Sequence, residues 1–231
     1  MSTFSRITGI FLSPVKTMKD IAAAPTWVVP ILLGTIVWVA STAIILPRVD
    51  WETIIAQQVE KQGRTISEAD LQQAVTISKP FYSMIYYVFA AVGALCLALI
   101  TALVLFAIIR LGGGETTYRK LFAAVSWAGL IKSLQGLILI VPLMGLETFD
   151  PNAMATLIPS NPAFLVDRES VGGFVYALLS AVDVFTIWWL VVMIIGVMAT
   201  SSWSRGKSAA AVLIPFGLLT VGGALLTALF T

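Results

Sequence analysis

From Phe81 to Ile109 the chain runs 29 residues without an acid or a base, and this run limits what the chain can become. A helix on the surface of a soluble domain needs a polar face, whereas a helix of about 20 apolar residues spans a hydrocarbon core. Trp27 to Leu46 repeats the pattern and stops at Pro47-Arg48. Three further segments are long enough: Leu121 to Gly145, interrupted by Lys132; Phe174 to Thr200, interrupted by Asp183; and Ala209 to Phe230, which is uncharged. Composition agrees, with 58% hydrophobic residues, 11% charged and a mean hydropathy of +0.95, more apolar surface than a soluble domain of this size could bury. The expectation is an all-α polytopic membrane bundle of five transmembrane helices with short amphipathic helices. It forms one domain over residues 1–231, with spans at about 27–46, 81–109, 121–145, 174–200 and 209–230.

Charge placement orients the bundle. Arg6, Lys16 and Lys19 precede the first span, Arg110, Arg119 and Lys120 follow the second, and Arg205 and Lys207 follow the fourth. Five spans put all three groups on one side, while the opposite loops, 47–80 and 146–173, carry nine acids against five bases. The positive-inside bias then predicts a cytoplasmic N-terminus and a C-terminus outside. Such a chain is expected to be a multi-pass integral membrane protein.

The same inventory removes several functions. A net charge of +2 is too small to argue for nucleic acid, the single Cys96 forms no intrachain disulfide, and no histidine is present. The commonest metal ligand and general base is therefore missing. No GxxxxGK[ST] phosphate loop occurs, and LGGGETT reads as a glycine turn between spans. No enzyme, cofactor or metal site is expected; membrane lipids are, with a protein partner at the cytoplasmic loops as a further candidate.

Smaller signals fill in the connections. Phe4, Ile7, Ile10 and Phe11 recur at helical spacing before Ser13-Pro14, too short a run for a cleavable signal. They fit an amphipathic helix on the cytoplasmic leaflet, with Lys16 and Lys19 near anionic headgroups. Ser67, followed by Glu68 and Asp70, predicts a capped short helix in the first outer loop. The second, FDPNAMATLIPSNPAFLVDRES, reads as irregular turns with one helical turn near Ala153. Ala90, Ala94, Ala98 and Ala102 recur every fourth residue, a smooth seam for helix packing. Gly129 and Gly136 in the third span, and Gly217, Gly222 and Gly223 in the fifth, suggest close packing there too.

The two intramembrane charges define the candidate site. On a continuous fourth helix, Tyr176, Ser180, Asp183 and Thr186 form one polar stripe, which must face protein or water. The stripe fits a helix of the same chain or a second copy in a homo-oligomer. Lys132, with Ser133 and Gln135 beside it, offers the opposite charge for an interhelical pair with Asp183. A competing picture lays residues 116–131 on the membrane surface, leaves Lys132 snorkelling at the interface, and makes Ser133 to Phe149 a short span.

Three stretches taken in order, IFLSPVKTMKDIAAAPTWVVPILL, LGGGETTYRKLFAAVSWAGLIKSL and VDVFTIWWLVVMIIGVMATSSWSRGKSAAAVLI, resemble the bacterial branch of the Ypt-interacting-protein (Yip) domain family over most of the chain. By that resemblance Pro14, Pro25, Gly113, Asp183, Phe185, Trp188, Gly196 and Lys207 fall on the family pattern. Eukaryotic relatives are implicated in vesicle trafficking through Rab-type GTPase binding and membrane shaping. Their long cytoplasmic N-terminal region and its DLYGP motif are missing here, so GTPase binding does not follow. The favoured role is a non-enzymatic membrane-organising or adaptor protein. The alternative is a small-molecule, ion or lipid carrier using Asp183 and Lys132, and an intramembrane enzyme ranks last.

Overall fold

Ser2 opens the first helix, α1 (Thr3–Leu12), by accepting the Ser5 amide on its side chain. Ser13 leaves helical geometry, and Pro14, whose missing N–H is harmless in a first turn, starts α2 (Pro14–Ala23). The two helices form a hairpin. The computed structural model describes residues 1–149 and 157–230, and within them the chain continues as eight further α-helices. These are α3 (Val28–Ile45), α4 (Trp51–Lys61), α5 (Glu68–Leu111), α6 (Tyr118–Ala128), α7 (Leu130–Leu143), α8 (Arg168–Ala181), α9 (Val184–Thr200) and α10 (Arg205–Phe230). The described residues contain no strand; the one β-bridge pairs Val49 with Phe149 and ties the end of α3 to the segment after α7.

Val28–Arg48, Glu68–Leu111, Tyr118–Leu143 and Arg205–Ala228 are each long and apolar enough to cross a membrane. The bent pair α8 and α9 makes a fifth if taken as one span. The chain is thus an all-α polytopic bundle of four to five spans. The helical turn expected near Ala153 lies outside the described residues.

At its centre is α6. Every residue from Leu121 to Ala128 is buried, because α5, α9, α2 and α3 pack around it. The surface-helix alternative for 116–131 therefore fails: the Ala, Ser and Gly that make this segment weakly apolar also let neighbouring backbones approach on every side. Trp127 fixes its depth by donating the indole N–H to the Thr26 carbonyl at 2.7 Å. Of the alanine seam of α5, Ala90, Ala98 and Ala102 are at most 6% exposed and Ala94 is partly buried, with α5 packed on α3 and α6.

The N-terminal hairpin departs from the expected leaflet-bound helix. Ile10, Met18 and Ile21 are fully buried in the common core, and α2 packs on α9 and α6. The physical reason is Arg6: its Nε donates to Asp20 at 2.7 Å and its Nη1 donates to both Ala24 O and Thr26 Oγ1, so a buried cation holds the hairpin closed. The Ser67 cap is present, but its helix does not end at Pro80. It runs on as α5, 44 residues long, or about 66 Å, roughly twice the hydrocarbon thickness. A helix tolerates one proline when it loses little more than one hydrogen bond, and α4 braces the extension: Trp51 stacks on Tyr82, and Gln72 donates to Glu52 at 2.9 Å. The α4 cap, Asp50 accepting the Thr53 amide and hydroxyl, was not anticipated. In α10 a side chain added at Gly217, Gly222 or Gly223 would meet nothing within 4 Å. These glycines are not a seam within the chain.

Candidate functional site

The helix expected to run unbroken over residues 174–200 is interrupted. Helix α8 ends at Ala181, Val182 and Asp183 leave helical geometry, and α9 starts at Val184 with a bend of 49°. A break in a membrane span exposes amides that lipid cannot satisfy. The first amides of α9 are answered. Asp183 is the N-cap of α9, its Oδ1 accepting the Phe185 and Thr186 amides at 2.8 and 2.9 Å. The Val184 amide finds the Ser160 carbonyl at 3.0 Å.

The other carboxylate oxygen organises the rest. Oδ2 accepts the Thr186 hydroxyl, and Lys132 Nζ lies 3.6 Å away. Lys132 also donates to Thr186 Oγ1 at 2.8 Å and to Gln135 Oε1 at 2.6 Å. Asp183 and Thr186 are each 5% exposed, whereas the Lys132 side chain keeps 35% of its surface. Both charges sit near the middle of their spans, Lys132 within Tyr118–Leu143 and Asp183 within Arg168–Thr200. Their depths match because the third span begins earlier than expected, at Tyr118.

Of the six candidates, four meet directly: Asp183, Lys132, Thr186 and Gln135. Ser180 lines the adjoining cavity but donates to the Tyr176 carbonyl. Tyr176 is not brought to the cluster through its ring. The stripe fails because the break rotates everything before Val182 off the register that spacing alone implies. Sequence reasoning also missed Ser160, which no short motif marks, and the capping role of Asp183, which D-x-x-T at the head of an apolar run does mark.

Two cavities flank this centre. One, of about 470 Å³, includes Trp38, Ser41, Lys132, Gln135, Ser180 and Asp183 in its wall. The other, about 320 Å³, lies against Gly34, Ala94, Ala98 and Ser133 and shares Trp38 and Lys132 with the first. Among the described residues no three His, Cys, Asp or Glu side chains come together to hold a metal. Chemically, the arrangement is a neutral pair whose carboxylate is matched by two amides, a hydroxyl and an ammonium, while the Ser41 hydroxyl in the cavity wall is buried without a partner among the described residues.

The family model described as Yip1 domain matches residues 8–227. The chain is 24% identical over 218 residues to "Membrane protein YknW" of Bacillus subtilis (strain 168), an alignment covering 92% of this chain and 86% of the relative. No solved structure matches.

Proposed function

This chain belongs to the Yip1 domain family, and from that premise we propose that it is a non-enzymatic membrane-organising or adaptor protein of the bacterial inner membrane. Its basic loops face the cytoplasm and meet lipid or a protein partner, and its C-terminus lies outside. The observation that best supports a structural rather than a reactive centre is the complete matching of Asp183. Its carboxylate accepts two backbone amides and one hydroxyl and faces one ammonium, which leaves little capacity to take up or release a proton or ion. Such a centre acts as a clasp: it fixes the bend between α8 and α9 and joins it to α7.

A second reading, a carrier of a small molecule, ion or lipid, is favoured by one specific feature. A discontinuous span beside a cavity at mid-depth is how many transporters build a substrate site. Purification in mild detergent, followed by mass spectrometry of co-purifying protein and lipid, separates the two. A stoichiometric protein partner or lipid that the Lys132→Met/Asp183→Asn double variant retains supports the clasp reading. Solute flux in liposomes that Asp183→Asn abolishes, with folded protein still present, would replace it with the carrier.

A further inference from the structure

At the basic end of the bundle a cleft of about 490 Å³ opens between the ends of several spans. Arg110, the penultimate residue of α5, and Lys120, in the first turn of α6, line it with Glu115, Thr117 and Ser202. Its walls are tied together: the Glu115 amide donates to Ser202 Oγ at 2.9 Å, the Ser202 amide returns to the Glu115 carbonyl at 3.1 Å, and the Thr116 hydroxyl donates to the Thr200 carbonyl at 2.7 Å.

Counting donors shows what the cleft can take. The hydroxyls of Thr116 and Ser201 are committed to carbonyls. Those of Thr117 and Ser202 accept amides, and among the described residues their own hydrogens meet no acceptor. Neither Arg110 nor Lys120 forms an ion pair among the described residues. Two cations and two spare hydroxyls call for an acceptor-rich anion. Glu115 offsets one cation, so the lining carries a single net positive charge, the complement of a phosphodiester rather than a doubly charged phosphomonoester. Depth points the same way: the cleft lies where α5 and α9 end and α6 begins, beside Leu111, which is 89% exposed. That is the level at which lipid phosphates sit.

We propose that the cleft between Arg110 and Lys120 binds the phosphodiester of a phospholipid headgroup in the leaflet at the basic end. This deepens the reading in which that end meets lipid, and it does not depend on the Lys132–Asp183 clasp. The test is native mass spectrometry of the full chain in mild detergent supplied with phosphatidylglycerol, with inorganic phosphate in large excess as a competitor. The Arg110→Gln/Lys120→Gln variant should lose bound lipid by about tenfold or more, the scale of charge-assisted hydrogen bonds. Glu115→Gln should retain more lipid than the native chain, and Arg64→Gln, at the opposite end, should match it. Phosphate should not displace the lipid. Displacement by phosphate alone, with the same dependence on Arg110 and Lys120, would assign the site to a soluble phosphate. Equal retention by the Arg110/Lys120 and Glu115 variants would overturn the site. Either failure leaves the clasp reading to its own test.

Discussion

Lys132 Nζ stands 3.6 Å from Asp183 Oδ2 and reaches the hydroxyl of Thr186, in the turn that Asp183 caps, at 2.8 Å. One lysine thus joins the third span to the start of α9. Asp183→Ala removes the cap, typically about 1 kcal/mol, and strands a cation. About a third of the Lys132 side chain is exposed, so water screens part of that penalty and a total of about 2–3 kcal/mol is expected. Asp183→Asn keeps an oxygen for the Phe185 and Thr186 amides and should cost less. Thermal unfolding in mild detergent measures both. No loss in the alanine variant would remove the cap from the account.

Asp20 supplies a pH dependence outside the spans. A hydrogen bond from the Met1 amino group and then one from Arg6, working against burial, hold its carboxyl below the ordinary carboxylate value. A lowered folded value means that the contribution is fully present above about pH 4, the unfolded value. It is lost as the pH falls through the folded one. Amide exchange of α1, corrected for its intrinsic pH dependence, should stay constant from neutral pH to about pH 5 and rise below about pH 4. Arg6→Gln should raise it at every pH. An acid response unchanged by Asp20→Asn would contradict the assignment.

Trp203 sits against the glycine turn after α5, so that turn should be intolerant of any side chain on its inner side. A Cβ at Gly114 would collide with Trp203 Nε1 and meet Ile109 Cγ2 at 2.7 Å, whereas at Gly206 it would meet nothing within 4 Å. Gly114→Ala should therefore destabilise by about 1–3 kcal/mol through overpacking. Gly206→Ala, in the first turn of α10, should be neutral or stabilise by up to about 1 kcal/mol. Equal effects in thermal unfolding would refute the packing seen around Trp203.

Ala102 is fully buried in the shared core, and its neighbour Leu103 is 57% exposed. Ala102→Leu should cost about 1–3 kcal/mol by prising α5 from its neighbours. Leu103→Ala should change stability little, since lipid in place of a leucine leaves no cavity. The reverse order in detergent melts would show that the seam faces lipid.

How far the fold was legible depends on which signal each part carried. The spans at Trp27 and Phe81 stand out because length and the absence of charge suffice, and the Ala90 to Ala102 seam because a period of four survives into the structure. The central position of α6 was hidden: its apolar content is diluted by Ala and Ser, and spacing does not say whether such a helix is packed on one side or on all. The site was half legible. Lys132 and Asp183 were singled out by their cost in an apolar run, and Thr186 and Gln135 by proximity. The helix break was missed because Asp183 was read by its neighbours at three and four residues instead of by its own preference for a cap. In the sequence Arg6 counts with Lys16 and Lys19 as one of three bases before the first span, yet it is 6% exposed and bound to Asp20, Ala24 and Thr26. Only tertiary contacts show that.

The clasp is tested most directly by a double-mutant cycle of Lys132→Met and Asp183→Asn, read as the thermal midpoint of the purified chain in mild detergent. Each single variant strands one charge beside the break, while the double variant removes both and keeps the cap. The account predicts that both singles melt below the native chain and that the double recovers towards it, with a coupling of about 1–2 kcal/mol. Strictly additive losses, with the double variant the least stable of the four, would show that the two residues do not act as a pair.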